Sequence, residues 1–260
     1  MGALFSGVMS HWIRHCLLAS NLAMPVALLA TRFQVPWLIA TAAVVHACLT
    51  YAIAAPGCAW LGPVVTRFHP RGNEVWLTID DGPAGAETER LVDDLARRGV
   101  RATFFVKGEA LARQPGIARR SLEGGHTLAN HTQTHPSHIF WWLSPRRLRS
   151  ELDLCNEALR AAGVAVTRWF RAPVGLKHID LHSELRARGM RLIGWNVRGR
   201  DGTAADPEIV AARVIARVRP GAIVVLHEGR PRSVEGILRV IDELHRRGYS
   251  FVIPTDEQLA

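Results

Sequence analysis

Five short polar segments, far apart in the chain, carry residues whose types suit a metal-dependent hydrolysis. They are Thr78-Ile79-Asp80-Asp81-Gly82-Pro83, His131-Thr132-Gln133-Thr134-His135, Arg171-Ala172-Pro173-Val174-Gly175, the stretch from Trp195 to Asp201, and Leu226-His227-Glu228-Gly229. Two histidines and one carboxylate are a common ligand set for a catalytic divalent metal, with positions left for water and substrate. His131 and His135 stand four apart, so a helical turn or a tight loop can aim both imidazoles at one ion. A lone pair at this spacing is usually incidental; here Asp80-Asp81 supplies the missing carboxylate. Adjacent residues in extended chain point opposite ways. The two aspartates are therefore expected to do different jobs, one ligating metal and the other taking a proton from the attacking water.

A metal such as zinc lowers the pKa of bound water to ~7 and polarises a carbonyl oxygen. The base beside it needs a partner that keeps it ionised, and Arg171 is suited to that by charge. Taken singly it is one arginine among many, but Pro173 and Gly175 after it argue for a shaped backbone. His227 follows the apolar run Ile223-Val224-Val225-Leu226 and suits a general acid that protonates a leaving amine. For any single histidine a satisfied buried role is the better expectation, and it is applied to His126, His138, His178, His182 and His245.

The elements that must position these residues read as alternating strands and helices. Glu74 to Ile79 is strand-like, and helical periodicity through Leu91, Val92 and Leu95 stops at Gly99. A pattern of helix, arginine, glycine, strand recurs before Ala102–Val106, Arg191–Trp195 and Ser250–Ile253. Arginine in a last turn suits the helix dipole, and glycine supplies the left-handed cap. Further strands are expected at His126–Asn130, Thr167–Phe170 and Ala222–Leu226. About seven strand–helix units argue for a parallel α/β body. An irregular barrel and an open doubly wound sheet both fit. In either, sites gather at the carboxyl ends of strands, which is where all five segments fall.

Composition bounds the rest. The chain has 260 residues and a formal net charge of +9, nearly all of the basicity being arginine. A surface facing anionic phosphates and a simple arginine-favouring bias explain that charge about equally well. No zinc finger, RNA-binding sheet motif or long basic helix is present, which argues against nucleic acid. Three of the four cysteines (Cys16, Cys48, Cys58) lie in the apolar N-terminal region and only Cys155 in the polar body, so there is no disulfide framework there.

Residues 1–66 read as a membrane region and residues 67–260 as the catalytic domain. Leu17 to Ala30 is apolar apart from Ser20 and Asn21, and Val35 to Ala55 carries no formal charge. A bilayer span needs ~20 such residues. The second run qualifies; the first is short and contains Pro25, so it is a span, a re-entrant piece or an interfacial helix. A cleaved signal peptide fits poorly, because the apolar region continues past any plausible cleavage site. If both runs span, Arg32 faces outward while Arg14, Arg67 and Arg71 face the cytoplasm together with the catalytic body. If only the second spans, the body faces the periplasm. The hairpin, at the bacterial inner membrane with a cytoplasmic body, is favoured.

These five segments, in this order, resemble the signature of the NodB-homology polysaccharide deacetylases, carbohydrate esterase family 4, over roughly Glu74 to Ile253. The resemblance implies a distorted barrel of parallel strands that removes N- or O-linked acyl groups from amino sugars, usually with zinc. By that similarity Asp80 is the catalytic base, and Asp81, His131 and His135 are the metal ligands. Arg171 holds the base, and His227 is the acid. Leu226 lines the pocket for the acyl methyl, and the Val174 amide helps hold the oxyanion at a position where the family often has an aromatic residue. The fourth segment departs from the family pattern. Trp195 is followed by Asn196 and then Arg198, and only Asp201 keeps its acid. In the family an aspartate of this segment orients the acid histidine; Arg198 is expected to meet an anionic group on the substrate.

The chain is thus expected to be a metal-dependent amide hydrolase that removes an acetyl or formyl group from an amino sugar on a lipid-linked or membrane-proximal glycan. Two alternatives stand beside it. One is a periplasmic peptidoglycan or polysaccharide deacetylase. The other is a degenerate, non-catalytic glycan-binding membrane protein, suggested by the altered fourth segment. Phe140-Trp141-Trp142 is read equally as core packing, a sugar-stacking platform or a bilayer contact.

Overall fold

The computed structural model describes residue 16, residues 19–27 and 29, and residues 36–165, 168–202 and 206–259. Arg14 and Arg32, on which the charge argument for sidedness turns, lie outside the described residues, as does Thr167.

The first named element is helix α1 (Pro36–Ala54). It is 19 residues long, and only a small part of it is buried. At ~1.5 Å per residue that length approaches the hydrocarbon thickness of a bilayer. Trp37, Ile39, Val44 and Tyr51 are exposed around it, which is not how a soluble core helix distributes its apolar residues. Residues 19–27 are also helical.

The body alternates as expected: β1 (Glu74–Asp80), α2 (Ala86–Arg97), β2 (Thr103–Val106), α3 (Gly108–Arg113), α4 (Pro115–Glu123), β3 (Thr127–Asn130), α5 (Pro145–Ala161), β4 (Trp169–Phe170), α6 (Leu181–Ala187), β5 (Arg191–Leu192), β6 (Val197–Arg198), α7 (Pro207–Arg217), β7 (Ala222–His227), α8 (Ser233–Arg246) and β8 (Ser250–Phe251). The strands pair in the order β5-β4-β3-β2-β1-β7-β6, with β8 against the start of β1. Every pairing is parallel. The sheet curls into an incomplete, distorted barrel. Its gap is bridged from below by the segment entering the body, where Val65 pairs with Ile193 and Arg67 with Ala222. Gly99, Gly189 and Gly248 all have positive φ after their helices, as the recurring arginine–glycine pattern implied.

Two differences from expectation have local causes. The run Arg191–Trp195 is a strand only through Leu192, because the chain then crosses to β6. β6 is a short strand that composition does not announce, since its flanks Asn196 and Gly199 are poor strand formers.

Strand alternation sorts the core into two layers. Val75, Leu77, Ile79, Val224 and Leu226 face the helices. Trp76, Phe105, Ala129, Trp169, Ile193 and Ile223 fill the barrel. The same two-residue period places Thr78 and Asp80 of β1, with Val225 and His227 of β7, on the interior face. A third cluster, including Phe140, Leu148, Leu152, Phe170 and Leu181, packs α5 and α6.

Candidate active site

The base of the site is a buried ion pair. Asp80 ends β1 and Arg171 follows β4; Arg171 Nη1 donates to Asp80 Oδ1 at 2.7 Å and to Thr78 Oγ1 at 2.7 Å. Its Nε donates to Ile193 O and its Nη2 to Gly194 O, at 3.2 and 3.0 Å. The guanidinium lies over the Phe105 ring at 4.1 Å and 5.6 Å from the Trp195 ring. Burial lowers the Arg171 pKa while Asp80 pulls it back up, and an arginine stays protonated regardless. A charge with no exposed surface is tolerable only when its donors are satisfied in this way.

Asp80 Oδ2, the oxygen Arg171 does not take, lies 4.0 Å from His131 Nε2. Asp81 was expected to point away from its neighbour. Instead its φ of 77° turns the chain back, and its Oδ1 sits 3.6 Å from His131 Nε2 and 3.2 Å from His135 Nε2. Both carboxylates therefore address one point, with different partners behind them. Burial pushes the Asp81 pKa up, but His131, His135 and Arg230 outweigh it and hold the carboxyl far below the usual range.

His131 Nδ1 lies 2.8 Å from Arg171 O. A carbonyl only accepts, so Nδ1 carries a proton, and Nε2 is the ring atom turned toward Asp81. His135 Nδ1 is fixed by Ser137 Oγ at 2.9 Å, and burial lowers the His135 pKa to about 4, so the ring is a neutral donor at pH 7. The loop between them is pinned by Asn130, whose Oδ1 accepts from Thr132 N, and by Glu151, which accepts from Thr134 N and Oγ1.

The donor atoms of Asp81, His131 and His135 lie within 4.8 Å of one another. Asp81 Oδ1 is buried and has no hydrogen-bond partner. Two bonds of 2.0–2.2 Å at a tetrahedral angle put their donors ~3.3 Å apart, close to the separations found around Asp81 Oδ1. An anionic oxygen facing two ring nitrogens, all at ligand spacing, fits a divalent metal.

On the far rim, His227 ends β7. Its Nδ1 is 2.9 Å from Asp201 Oδ1, and its backbone N–H donates to Asp201 Oδ2 at 2.7 Å. Burial pushes the His227 pKa down, but the Asp201 hydrogen bond and the charges of Asp80, Asp201 and Asp81 outweigh it and raise it above the ordinary value. Asp201 thus orients His227 despite the altered sequence around it.

Trp195 packs in the barrel interior beside Arg171. Arg198 is exposed and, among the described residues, its side chain forms no hydrogen bond or ion pair. Val174 is exposed at a φ of 48°, a left-handed conformation that β-branched residues rarely adopt.

Leu226 is a correction. It does not line the pocket, because it is wholly buried in the helix-facing layer with Val197 and Val210. The interior neighbour of His227 on β7 is Val225, paired with Thr78 on one side and Arg198 on the other. The sequence motif alone could not separate the two; the strand period could.

Three residues were not foreseen. Arg230 Nη2 donates to Asp81 Oδ2 at 2.8 Å, and its Nη1 donates to Gly202 O. Thr78 receives Arg171. Glu228 is buried behind Gly82, with Thr88 Oγ1 donating to its Oε2 and its Oε1 unpartnered. An alanine Cβ at Gly82 would stand 1.7 Å from Glu228 Oε1, which explains a glycine there. His126, His178 and His245 serve packing: His126 accepts from Ala102 N, His178 bonds Leu143 O, and His245 packs edge-on against Phe251.

The comparisons with known proteins agree with this geometry. A polysaccharide deacetylase family profile matches residues 69–193. A chitooligosaccharide deacetylase of Bradyrhizobium sp. (strain ANU 289) is 35% identical over 190 residues, covering 67% of this chain and 86% of its own length. The carbohydrate esterase of family 4 from Streptomyces lividans, solved with acetate, superposes with a TM-score of 0.65 at 28% identity, covering 71% of this chain and 94% of that one. A family 4 pseudoenzyme from Bacillus anthracis superposes with a TM-score of 0.68 at 27% identity, covering 76% and 69%. The chain belongs to the polysaccharide deacetylases, the NodB-homology hydrolases of carbohydrate esterase family 4.

Proposed function

We propose that this protein is a metal-dependent amidohydrolase that removes an N-acetyl or N-formyl group from an amino sugar carried on a lipid-linked or membrane-proximal glycan. The single observation that carries the chemistry is the convergence of Asp80 Oδ2, the Asp81–His131–His135 cluster and the Asp201-oriented His227 on one rim.

Asp81, His131 and His135 would hold the metal, and the donor set suits zinc. Once bound, it supplies Lewis-acid polarisation of the acyl carbonyl and a nucleophile at neutral pH. The chain's own residues do the rest. Asp80, held by Arg171, offers Oδ2 to take the proton of the attacking water. The Val174 amide would donate to the carbonyl oxygen as it gains charge. His227 keeps its proton through Asp201 and delivers it from Nε2 to the departing amine, so that the C–N bond breaks to a neutral leaving group. Val225, in place of Leu226, bounds the acyl methyl.

The membrane setting is supported by α1 and by an apolar groove of about 820 Å³ beside it. One wall is Leu49 and Ile53; the other is Trp141, Trp142, Leu176 and Ile179, from the loops that follow His135 and Val174. Lys177 N donates to Ile53 O at 3.0 Å and ties the helix to the catalytic loops. The groove suits the alkyl part of a glycolipid, and the unpartnered Arg198 suits its phosphate. Placement at the inner membrane with a cytoplasmic body follows from the hairpin reading; an active exported reporter fused to the carboxyl end would overturn that placement.

The test is release of acetate and formate from lipid-linked and from water-soluble N-acylated amino sugars. Wild type, Asp80→Asn and His135→Ala would be compared, with metal content measured for each. Release by wild type alone, with metal kept in Asp80→Asn and lost in His135→Ala, is expected. Preference for the soluble glycan would favour the periplasmic polysaccharide reading. Bound metal without release from either would favour a binding protein. Arg198→Ala should raise KM for the phosphate-bearing substrate more than for a neutral analogue.

A further inference from the structure

We infer that Arg230 is a positioning residue that couples the two halves of the site, fixing the metal-ligand carboxylate of Asp81 and the turn that carries Asp201 with one guanidinium. The inference rests on the proposed metal site and adds to it a residue outside the resembled motif positions.

The geometry is that of a fork. Nη2 reaches Asp81 Oδ2 at 2.8 Å, and Nη1 reaches the carbonyl of Gly202, the residue after Asp201. Asp81 has two oxygens with two duties. Oδ1 is buried, unpartnered and faces His131 and His135; Oδ2 is occupied by Arg230. With Oδ2 held, the carboxylate cannot rotate to offer both oxygens to the cluster, so Oδ1 alone is presented. The left-handed backbone of Asp81, at φ 77°, turns its carboxylate toward the histidines, and Arg230 fixes which of the two oxygens faces them.

The other arm acts on the acid. Asp201 spends both oxygens on His227, one on Nδ1 and one on the backbone N–H. Nothing in those two bonds fixes the turn on its other side. Arg230 does, through the Gly202 carbonyl. A lysine cannot replace it, because a single ammonium on a flexible stem does not span two acceptors as a planar guanidinium does. The side chain of Arg230 is partly exposed, so its charge is not required for burial; its placement at this junction is what the coupling explains.

The test uses the full chain and zinc ion alone. The zinc dissociation constant and hydrogen–deuterium exchange of peptides containing Asp201 and Gly202 would be measured for wild type, Arg230→Ala and Arg230→Lys. Tm of the metal-free proteins checks folding. For Arg230→Ala, zinc affinity should fall ~10–100-fold. Exchange around Asp201 should rise in the zinc-loaded protein while peptides of β1 and β2 stay unchanged. Arg230→Lys should recover part of the affinity and none of the exchange protection. Added guanidinium should restore affinity to Arg230→Ala, which a general loss of structure would not allow. Zinc affinity within twofold of wild type overturns the inference, and weakened zinc binding with unchanged exchange overturns the coupling. A wild type that binds no zinc removes the metal reading itself, a result distinct from either.

Discussion

His227 and Asp201 are joined twice. Asp201 Oδ1 meets the imidazole Nδ1 at 2.9 Å, and Asp201 Oδ2 takes the backbone N–H of the same histidine at 2.7 Å. One carboxylate thereby sets both the ring and the end of the strand that carries it.

Asp201→Asn should shift the alkaline limb of the activity profile. The Asp201 hydrogen bond and the nearby carboxylate charges outweigh burial and raise the His227 pKa, so the protonated ring persists to higher pH than an ordinary imidazole would. Without the Asp201 charge that pKa falls, so the acid form is lost at lower pH. The alkaline limb of the kcat profile should move to lower pH, and kcat at pH 7 should drop ~10²-fold. An unmoved alkaline limb would show that another group is the acid.

Asp80→Asn and Arg171→Met separate chemistry from folding. The first removes the proton acceptor but leaves a neutral partner for Arg171, so activity should fall ~10²–10⁴-fold with metal content retained. The second strands a carboxylate at the barrel mouth and should cost roughly 3–5 kcal/mol in chemical denaturation. Equal stability of Arg171→Met and wild type would show that the pair is dispensable to the fold.

Val225 and Leu226 make a sharp pair. Leu226→Ala opens the helix-facing layer and should lower stability by ~2–5 kcal/mol while leaving the acetyl-to-formyl preference intact. Val225→Leu adds bulk beside the acyl group and should shift that preference toward formyl. If Leu226→Ala changes acyl preference instead, Leu226 and not Val225 faces the pocket, and β7 is out of register by one residue.

Glu228 gives a stability signal. Burial raises its pKa from 4.5 to about 7, with Thr88 opposing and Glu87 and Asp81 adding to the rise. The folded protein therefore holds a proton there that the unfolded chain releases near pH 4.5. The group's contribution is full below that pH and is lost as pH climbs through 7, by roughly 3 kcal/mol in all. Glu228→Gln keeps an acceptor for Thr88 and removes the penalty, so its Tm should exceed that of wild type at pH 8 and match it at pH 5. Parallel Tm curves for the two proteins across that range would rule this out.

The sequence carried the order of strands and helices because each strand is short, apolar and bounded by a polar or glycine stop. It pointed to the Asp81–His131–His135 cluster, whose donor atoms the fold brings together, because histidine and aspartate are rare types at strand ends. It did not carry Arg230, which is one arginine among many and matters only because the chain returns beside Asp81 after nearly 150 residues. It misassigned Leu226 because neighbouring apolar residues look alike in text while alternating in space. It also read Asp80 and Asp81 as diverging, since nothing in the letters marks a left-handed aspartate.

Asp81, Thr132, His135 and Val174 all have positive φ although none is glycine, and each such residue costs ~1 kcal/mol or more. These four positions are where the barrel bends its own backbone to reach the reacting atoms. A designer who grafted only the side chains onto an idealised scaffold of smooth loops would recover the residue types without their directions. The transferable unit is the loop conformation, and a transplant that works has to carry the left-handed hinges along with the ligands.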